Sequence, residues 1–189
     1  MSRGRAARAT AWYTAIVFRI PKLTTRRLVL RPYRERDRDA FERLHRDPQA
    51  REHLGGALSA AHARSLFDRL VDDDEVEPGE ERWAITLVDD GTYIGHAFFT
   101  PRHESGPDGE AEIEVGFMLC PEYWGLGYGT ELVRRLVEYA LRRAQYPALV
   151  ATVDAGHEAS LRVLEQAGME RERTEEDAHG AYTVLAVRR

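Results

Sequence analysis

Apolar and polar residues alternate in RLVLRPYR, residues 27 to 34, with the period of a half-buried strand. DRDAFERLHRD, 37 to 47, changes to a helical period, with Asp37 as its N-terminal cap. SAAHARSLFDRLVDDD, 59 to 74, predicts a second helix capped by Ser59, its apolar face made by Ala63, Leu66, Phe67 and Leu70. Strands return in RWAITLV, 82 to 88, and TYIGHAFFT, 92 to 100, joined by the turn signal Asp89-Asp90-Gly91. AEIEVGFML, 111 to 119, is a further strand, in which Gly116 marks a bulge. From 130 to 144 the period is helical again: Leu132, Val133, Leu136, Val137, Ala140 and Leu141 form a core face, and Arg134, Arg135, Glu138, Arg142 and Arg143 lie outside. Pro147 closes that region, ALVATVD, 148 to 154, reads as a buried strand, and ASLRVLEQAG, 159 to 168, as a helix ended by Gly168. AYTVLAV, 181 to 187, is the last strand. The order is an antiparallel meander, a strand-helix-strand unit, then one more helix and strand. It predicts one α/β (α+β) domain over 23–189, a mixed, mostly antiparallel sheet of about six or seven strands with about four helices.

Composition narrows the functional classes. The chain has 189 residues and a formal net charge of -5, which gives no global reason to expect nucleic-acid binding. Its one cysteine, Cys120, excludes an internal disulfide framework and fits a reducing, cytoplasmic compartment. No apolar run approaches the roughly 18 residues of a membrane span. Residues 1 to 34 carry nine basic side chains and no acid. AWYTAIVF after Arg3, Arg5 and Arg8 is short for a signal peptide and runs into Arg19 without a small-residue cleavage site, so residues 1–22 read as a basic, loosely attached arm. DDDEVEPGEE, 72 to 81, reads as a solvated acidic loop, and PRHESGPDGE, 101 to 110, as a second long loop. His96 and His103 have no partners at metal-ligand spacing.

Gly125, Gly127 and Gly129 occupy alternate positions at the entrance of the 130–144 helix. A strand end running into a helix N-terminus collects unpaired backbone N–H groups and the positive end of the helix dipole, a place suited to phosphate. Glycines let the backbone turn consecutive N–H groups inward as a nest. The segment has no Gly-Lys followed by Ser or Thr, as a Walker loop needs, and Thr130 stands where a dinucleotide fingerprint has its third glycine. The alternative reading is a tight loop whose glycines relieve crowding.

WGLGYG, 124 to 129, resembles the Arg/Gln-x-x-Gly-x-Gly/Ala motif of the GNAT superfamily of acetyl-CoA-dependent N-acetyltransferases, with Trp124 departing at the first position. EVGFMLCPEYWGLGYGTE resembles the branch containing the Rim-type ribosomal-protein N-terminal acetyltransferases. TTRRLVLRPYRERDRDAF is similar to that branch's opening strand and helix. HEASLRVLEQAGM, 157 to 169, is similar to its later Asn-x-x-Ser…Glu-Lys-x-Gly-Phe segment, with His157 and Met169 as departures. The resemblance implies splayed strands matching 111–119 and 148–154, with the pantetheine of acetyl-CoA held by the main chain of Phe117, Met118 and Leu119. It places the pyrophosphate on the N–H groups of Gly125, Leu126, Gly127, Tyr128, Gly129 and Thr130, and the pantetheine arm or thiol near His157 and Ser160.

The activity so implied is acetyl transfer to a primary amine, a protein N-terminus or a small molecule, by direct attack in a ternary complex. Such transfer needs positioning of the thioester, a donor for the oxyanion and removal of a proton from the ammonium. Glu112 and Glu114 fall on one strand face by period two and are the candidates for the base, with Glu114 favoured by the resemblance. A solvated edge or pairing with arginines is the alternative for either. Ser160 is the candidate donor to the thiolate, since Leu164 stands where many members have tyrosine; helix capping is its alternative, and Tyr182 is a further, more distant candidate. Cys120 has no matched base and reads as buried packing. The departures at 157, 164 and 169 keep open a second class, a CoA-binding sensor or interaction module with weak turnover. Dimers are frequent in such folds, although no interface signal stands out in the sequence.

Overall fold

The alternation in RLVLRPYR places Leu28 and Leu30 in the core of the computed structural model, which describes residues 20–71, 80–102, 112–142, 146–178 and 180–189. The expectations for the N-terminal arm before residue 20, most of the acidic loop and most of the 101–110 loop lie outside the described residues. Eight strands form one sheet: β1 (Leu23–Thr24), β2 (Leu28–Arg31), β3 (Glu81–Leu87), β4 (Tyr93–Arg102), β5 (Glu112–Leu119), β6 (Ala148–Asp154), β7 (Glu170–Asp177) and β8 (Gly180–Arg188). Their spatial order is β1-β2-β3-β4-β5-β6-β8-β7. All neighbours are antiparallel except β5 and β6. The four helices are α1 (Arg38–Arg46), α2 (Ala60–Val71), α3 (Tyr128–Arg142) and α4 (Glu158–Gln166).

Both faces of the sheet are covered. Leu132, Val133 and Leu136 of α3 and Leu161 and Leu164 of α4 join Ile113, Val115 and Leu119 in the larger core. Phe41 and Leu44 of α1 and Phe67 of α2 cover the opposite face over Ala84, Met118 and Cys120. Burial pushes the Cys120 thiol up to about 12, so it stays protonated and inert.

Two caps are local. Ser59 Oγ accepts the His62 N–H at 3.2 Å. Gly168, at φ 96°, ends α4: its N–H reaches Glu165 O at 3.0 Å and the Met169 N–H reaches Leu164 O at 3.1 Å, the paired bonds of a Schellman motif.

Three expectations change. The strand count is eight because Leu23–Thr24 and Glu170–Asp177 were not legible as strands; ERERTEED carries no apolar alternation, and β7 lies at the sheet edge. Asp37 does not cap α1; its carboxylate grips Arg31 through two bonds of 2.7 and 2.8 Å in a buried pair. Gly116 makes no bulge, since β4 and β5 stay in register from Gly95↔Leu119 to Arg102↔Glu112. Its missing side chain makes room for the Phe98 ring, which a Cβ would approach to 2.1 Å.

Candidate active site

β5 and β6 are the sheet's one parallel pair, and they pair only from Glu112↔Ala148 to Glu114↔Val150. Beyond that point each continues alone: β5 to Leu119 beside β4, and β6 to Asp154 beside β8. The gap opens at the carboxyl ends of two parallel strands, where α/β folds form ligand crevices. A helix begins at each side, α3 after β5 and α4 after β6.

The main chain of β5 alternates between its neighbours. The Cys120 N–H donates to Ile94 O on β4 at 2.9 Å. Met118, two residues earlier, therefore also turns its N–H and C=O toward β4, and Phe117 and Leu119 turn theirs toward the gap. The expected main-chain trio thus divides: Phe117 faces the gap with both groups, whereas Met118 faces away. The Leu119 carbonyl is taken by the indole N–H of Trp124 at 2.8 Å. Trp124, the residue that departs from the motif, anchors the glycine segment to the end of β5.

The three glycines have separate reasons. Gly125 and Gly127 sit at φ 73° and 77°, which L side chains rarely adopt. Gly129 lets α3 approach α4, because a Cβ there would stand 3.3 Å from Val163. Among the described residues, no protein acceptor takes the N–H groups of residues 125 to 130. Six donors in sequence at a helix N-terminus fit a pyrophosphate. The Thr130 hydroxyl is bonded to Gln166 Oε1 at 3.1 Å instead of standing open.

Glu112 and Glu114 share a face but not an environment. Glu112 is fully buried in the closed part of the strand pair. Its carboxylate accepts from Arg188 at 2.7 Å and Arg173 at 3.3 Å, with Arg102 at 4.0 Å. That is the arginine pairing weighed as the alternative in the sequence. Glu114 is half-buried at the point where the strands part, and its carboxylate accepts the Thr152 hydroxyl of β6. Phe98 covers Gly116 beside it.

Ser160 is half-exposed in the first turn of α4, and His157 precedes that helix. The His157 ring stacks on His53 at 4.1 Å, so the α1–α2 connection reaches across to this end of the gap. Burial, then the neighbouring His53, holds the His157 pKa below its ordinary value. Tyr182 is engaged with Glu175 at 2.6 Å, and Leu164 is core. Neither His53 nor Thr152 stands out in the sequence; each is isolated among unremarkable neighbours and gains its place only from the fold.

Residues 27–170 match the acetyltransferase (GNAT) domain family. The chain belongs to this family and is an N-acetyltransferase, transferring acetyl groups to amines. Its relative YkkB of Bacillus subtilis is 27% identical over 154 residues, 81% of this chain and 87% of YkkB. The aminoglycoside acetyltransferase AAC(6')-Ib, solved with coenzyme A, superimposes with a TM-score of 0.71 at 22% identity, covering 86% of this chain and 95% of that one. A proposed ribosomal-protein-serine acetyltransferase from Vibrio cholerae gives a TM-score of 0.71 at 16% identity, covering 89% and 98%. No described helix is long and apolar enough to cross a membrane.

Proposed function

We propose that the chain uses acetyl-CoA and acetylates a primary amine, on a protein N-terminus or a small molecule, by direct attack in a ternary complex. The observation that carries this reading is the parting of β5 from β6 after Glu114, with unpaired N–H groups at its open end. Bound acetyl-CoA supplies a thioester, whose carbonyl carbon bonds to the amine nitrogen as the carbon–sulfur bond breaks and the thiolate leaves. The Phe117 main chain pairs with the pantetheine arm as an added strand would, and the N–H groups of 125 to 130 take the pyrophosphate.

Glu114 is the base. It sits where strand pairing ends, with one carboxylate oxygen held by Thr152, and it faces the side of the sheet covered by α1 and α2. There it attracts an ammonium and accepts its proton, directly or through one water. Glu112 is left as a structural anion, because its buried carboxylate is already taken up by Arg188 and Arg173. Ser160 protonates the thiolate or holds the arm in line for solvent to do so. Phe98 lines the amine side beside Glu114.

Calorimetric titration with acetyl-CoA, followed by thiol-release assays over small amines and N-terminal peptides, tests the reading. Micromolar binding with acceptor-dependent release is the expected result. Binding without acceptor-dependent release across the panel would instead support the sensor class, and no binding would overturn the phosphate nest at 125 to 130.

A further inference from the structure

Arg27 lies about one hundred residues before the glycine segment, at the entry to β2, yet it is fastened to that segment from several sides. Its Nε donates to Glu131 Oε2 at 2.6 Å and its backbone N–H to Glu131 Oε1 at 2.9 Å. Its Nη1 donates to Leu126 O at 3.0 Å. The guanidinium carbon lies 4.3 Å from the centre of the Tyr128 ring. Glu131 is fixed in turn by the Thr25 hydroxyl at 2.6 Å. A long flexible side chain is thereby held in one orientation before any ligand arrives.

The remaining nitrogen, Nη2, has no acceptor among the described residues. It stands 3.5 Å from where a Cβ on Gly127 would be, beside the glycine segment. An open groove of about 720 Å³ continues from this point, lined by Arg27, Gly127, Thr130 and Arg134 among others. Arg134 already donates to Gln166 O and Arg135 to Thr24 O, so both are turned to backbone carbonyls. Trp124 carries no charge, and its indole N–H is turned to Leu119.

We propose that Arg27 is a binding residue for the pyrophosphate of acetyl-CoA, its Nη2 supplying the charged donor that the uncharged glycine segment lacks. The inference rests on the acetyl-CoA reading above. Glu131 neutralises the Nε edge and acts as the bracket, a positioning residue, while the Nη2 edge stays available to the phosphate oxygens. A prefixed guanidinium loses little side-chain entropy when it meets the anion, and its charged hydrogen bond is stronger than a neutral one.

The test is calorimetric binding of CoA at several salt concentrations, in the wild type and in Arg27→Met, Arg27→Lys and Gly127→Ala. Arg27→Met is expected to weaken CoA binding about tenfold or more and to flatten the dependence of log Kd on log salt. Arg27→Lys keeps the charge and should keep most of the salt dependence. Gly127→Ala, which disturbs the loop without removing charge, should weaken binding with the salt dependence unchanged. Inorganic pyrophosphate should compete with CoA in the wild type more strongly than in Arg27→Met. If Arg27→Met fails to fold, Arg27→Gln carries the same expectation. Wild-type binding with an Arg27→Met affinity within twofold overturns this proposal alone, as does weaker binding with unchanged salt dependence. Absence of CoA binding in the wild type overturns the cofactor reading and this proposal together.

Discussion

Two glutamates two residues apart on one strand sit in different surroundings. Glu112 is sealed among Arg188, Arg173 and Arg102, whereas Glu114 meets a hydroxyl at the edge of an opening. Glu114→Gln is expected to lower kcat by roughly 10²- to 10³-fold with little change in the acetyl-CoA KM, measured by steady-state thiol release. Glu112→Gln should act the other way, costing about 1–3 kcal/mol of stability, because it removes the buried charge that accepts from Arg188 and Arg173 while those arginines keep Glu172 and Glu175. Urea unfolding monitored by circular dichroism reads that loss; an unshifted midpoint would refute the structural role. Period two put both carboxylates on one face from sequence alone. Their different surroundings come from Arg188 and Arg173, remote in sequence and brought in by β8 and β7.

A second residue-scale pair governs the response to acid. His45 of α1 and His96 of β4 are buried, with ring centroids 5.0 Å apart, and the Nε2 of each lacks a partner among the described residues. Desolvation, then the neighbouring Arg51, holds His45 at about 4. Desolvation, then His45 and Arg51, holds His96 at about 3. Both folded values lie below the unfolded one of about 6.5, so between those limits the unfolded chain binds more protons. The stability from keeping these rings neutral is therefore complete above about pH 6.5 and is lost as pH falls toward 4, about 3 kcal/mol for His45 alone. Thermal unfolding across that range should show a steep fall in Tm, and His96→Gln should flatten it. An equal slope in the variant would show that other groups dominate.

At the scale of elements, the glycine segment is a device for ending β5, starting α3 and leaving N–H groups unpaired. Gly125→Ala meets no steric obstacle, since nothing lies within 4 Å of its Cβ position, but it must hold φ near 73°. Left-handed strain then costs about 1–2 kcal/mol, either as stability or as a relaxed loop with weaker CoA binding. Calorimetry with unfolding on the same variant separates the two, and an effect on neither would remove the conformational argument. The sequence marked this segment clearly because glycine spacing and helical periodicity are local. Its attachment to Arg27 was not legible, since nothing in TTRRL distinguishes Arg27 from Arg26 without the partner Glu131. β7 is not legible in the sequence for a related reason. Its pattern comes from ion pairs, such as Arg173 with Glu175 and Arg102 with Glu175, and not from burial on one face.

Across the whole molecule, the decisive feature is a sheet that is continuous at one end of β5 and β6 and open at the other. A ligand pairing with Phe117 would close part of this opening, so hydrogen exchange at the Phe117 amide should slow when CoA is added. Unchanged exchange at saturating CoA would argue against the strand-like pose. Saturation at a hundred times Kd should also raise global stability by about 2.7 kcal/mol, read as a Tm increase.

The sequence by itself determined what depends on neighbours in the chain: the helical and strand periods, the Ser59 and Gly168 caps, and the phosphate-suited entrance of α3. Those features follow from backbone sterics and side-chain spacing, which act over a few residues. Tertiary structure alone decided where β5 leaves β6, which glutamate is sealed, that Phe98 fills the space over Gly116, and that Arg27 reaches Gly127. Each of these is a contact between segments far apart in the chain. Its energy depends on packing, desolvation and charge pairing that exist only once the sheet has assembled.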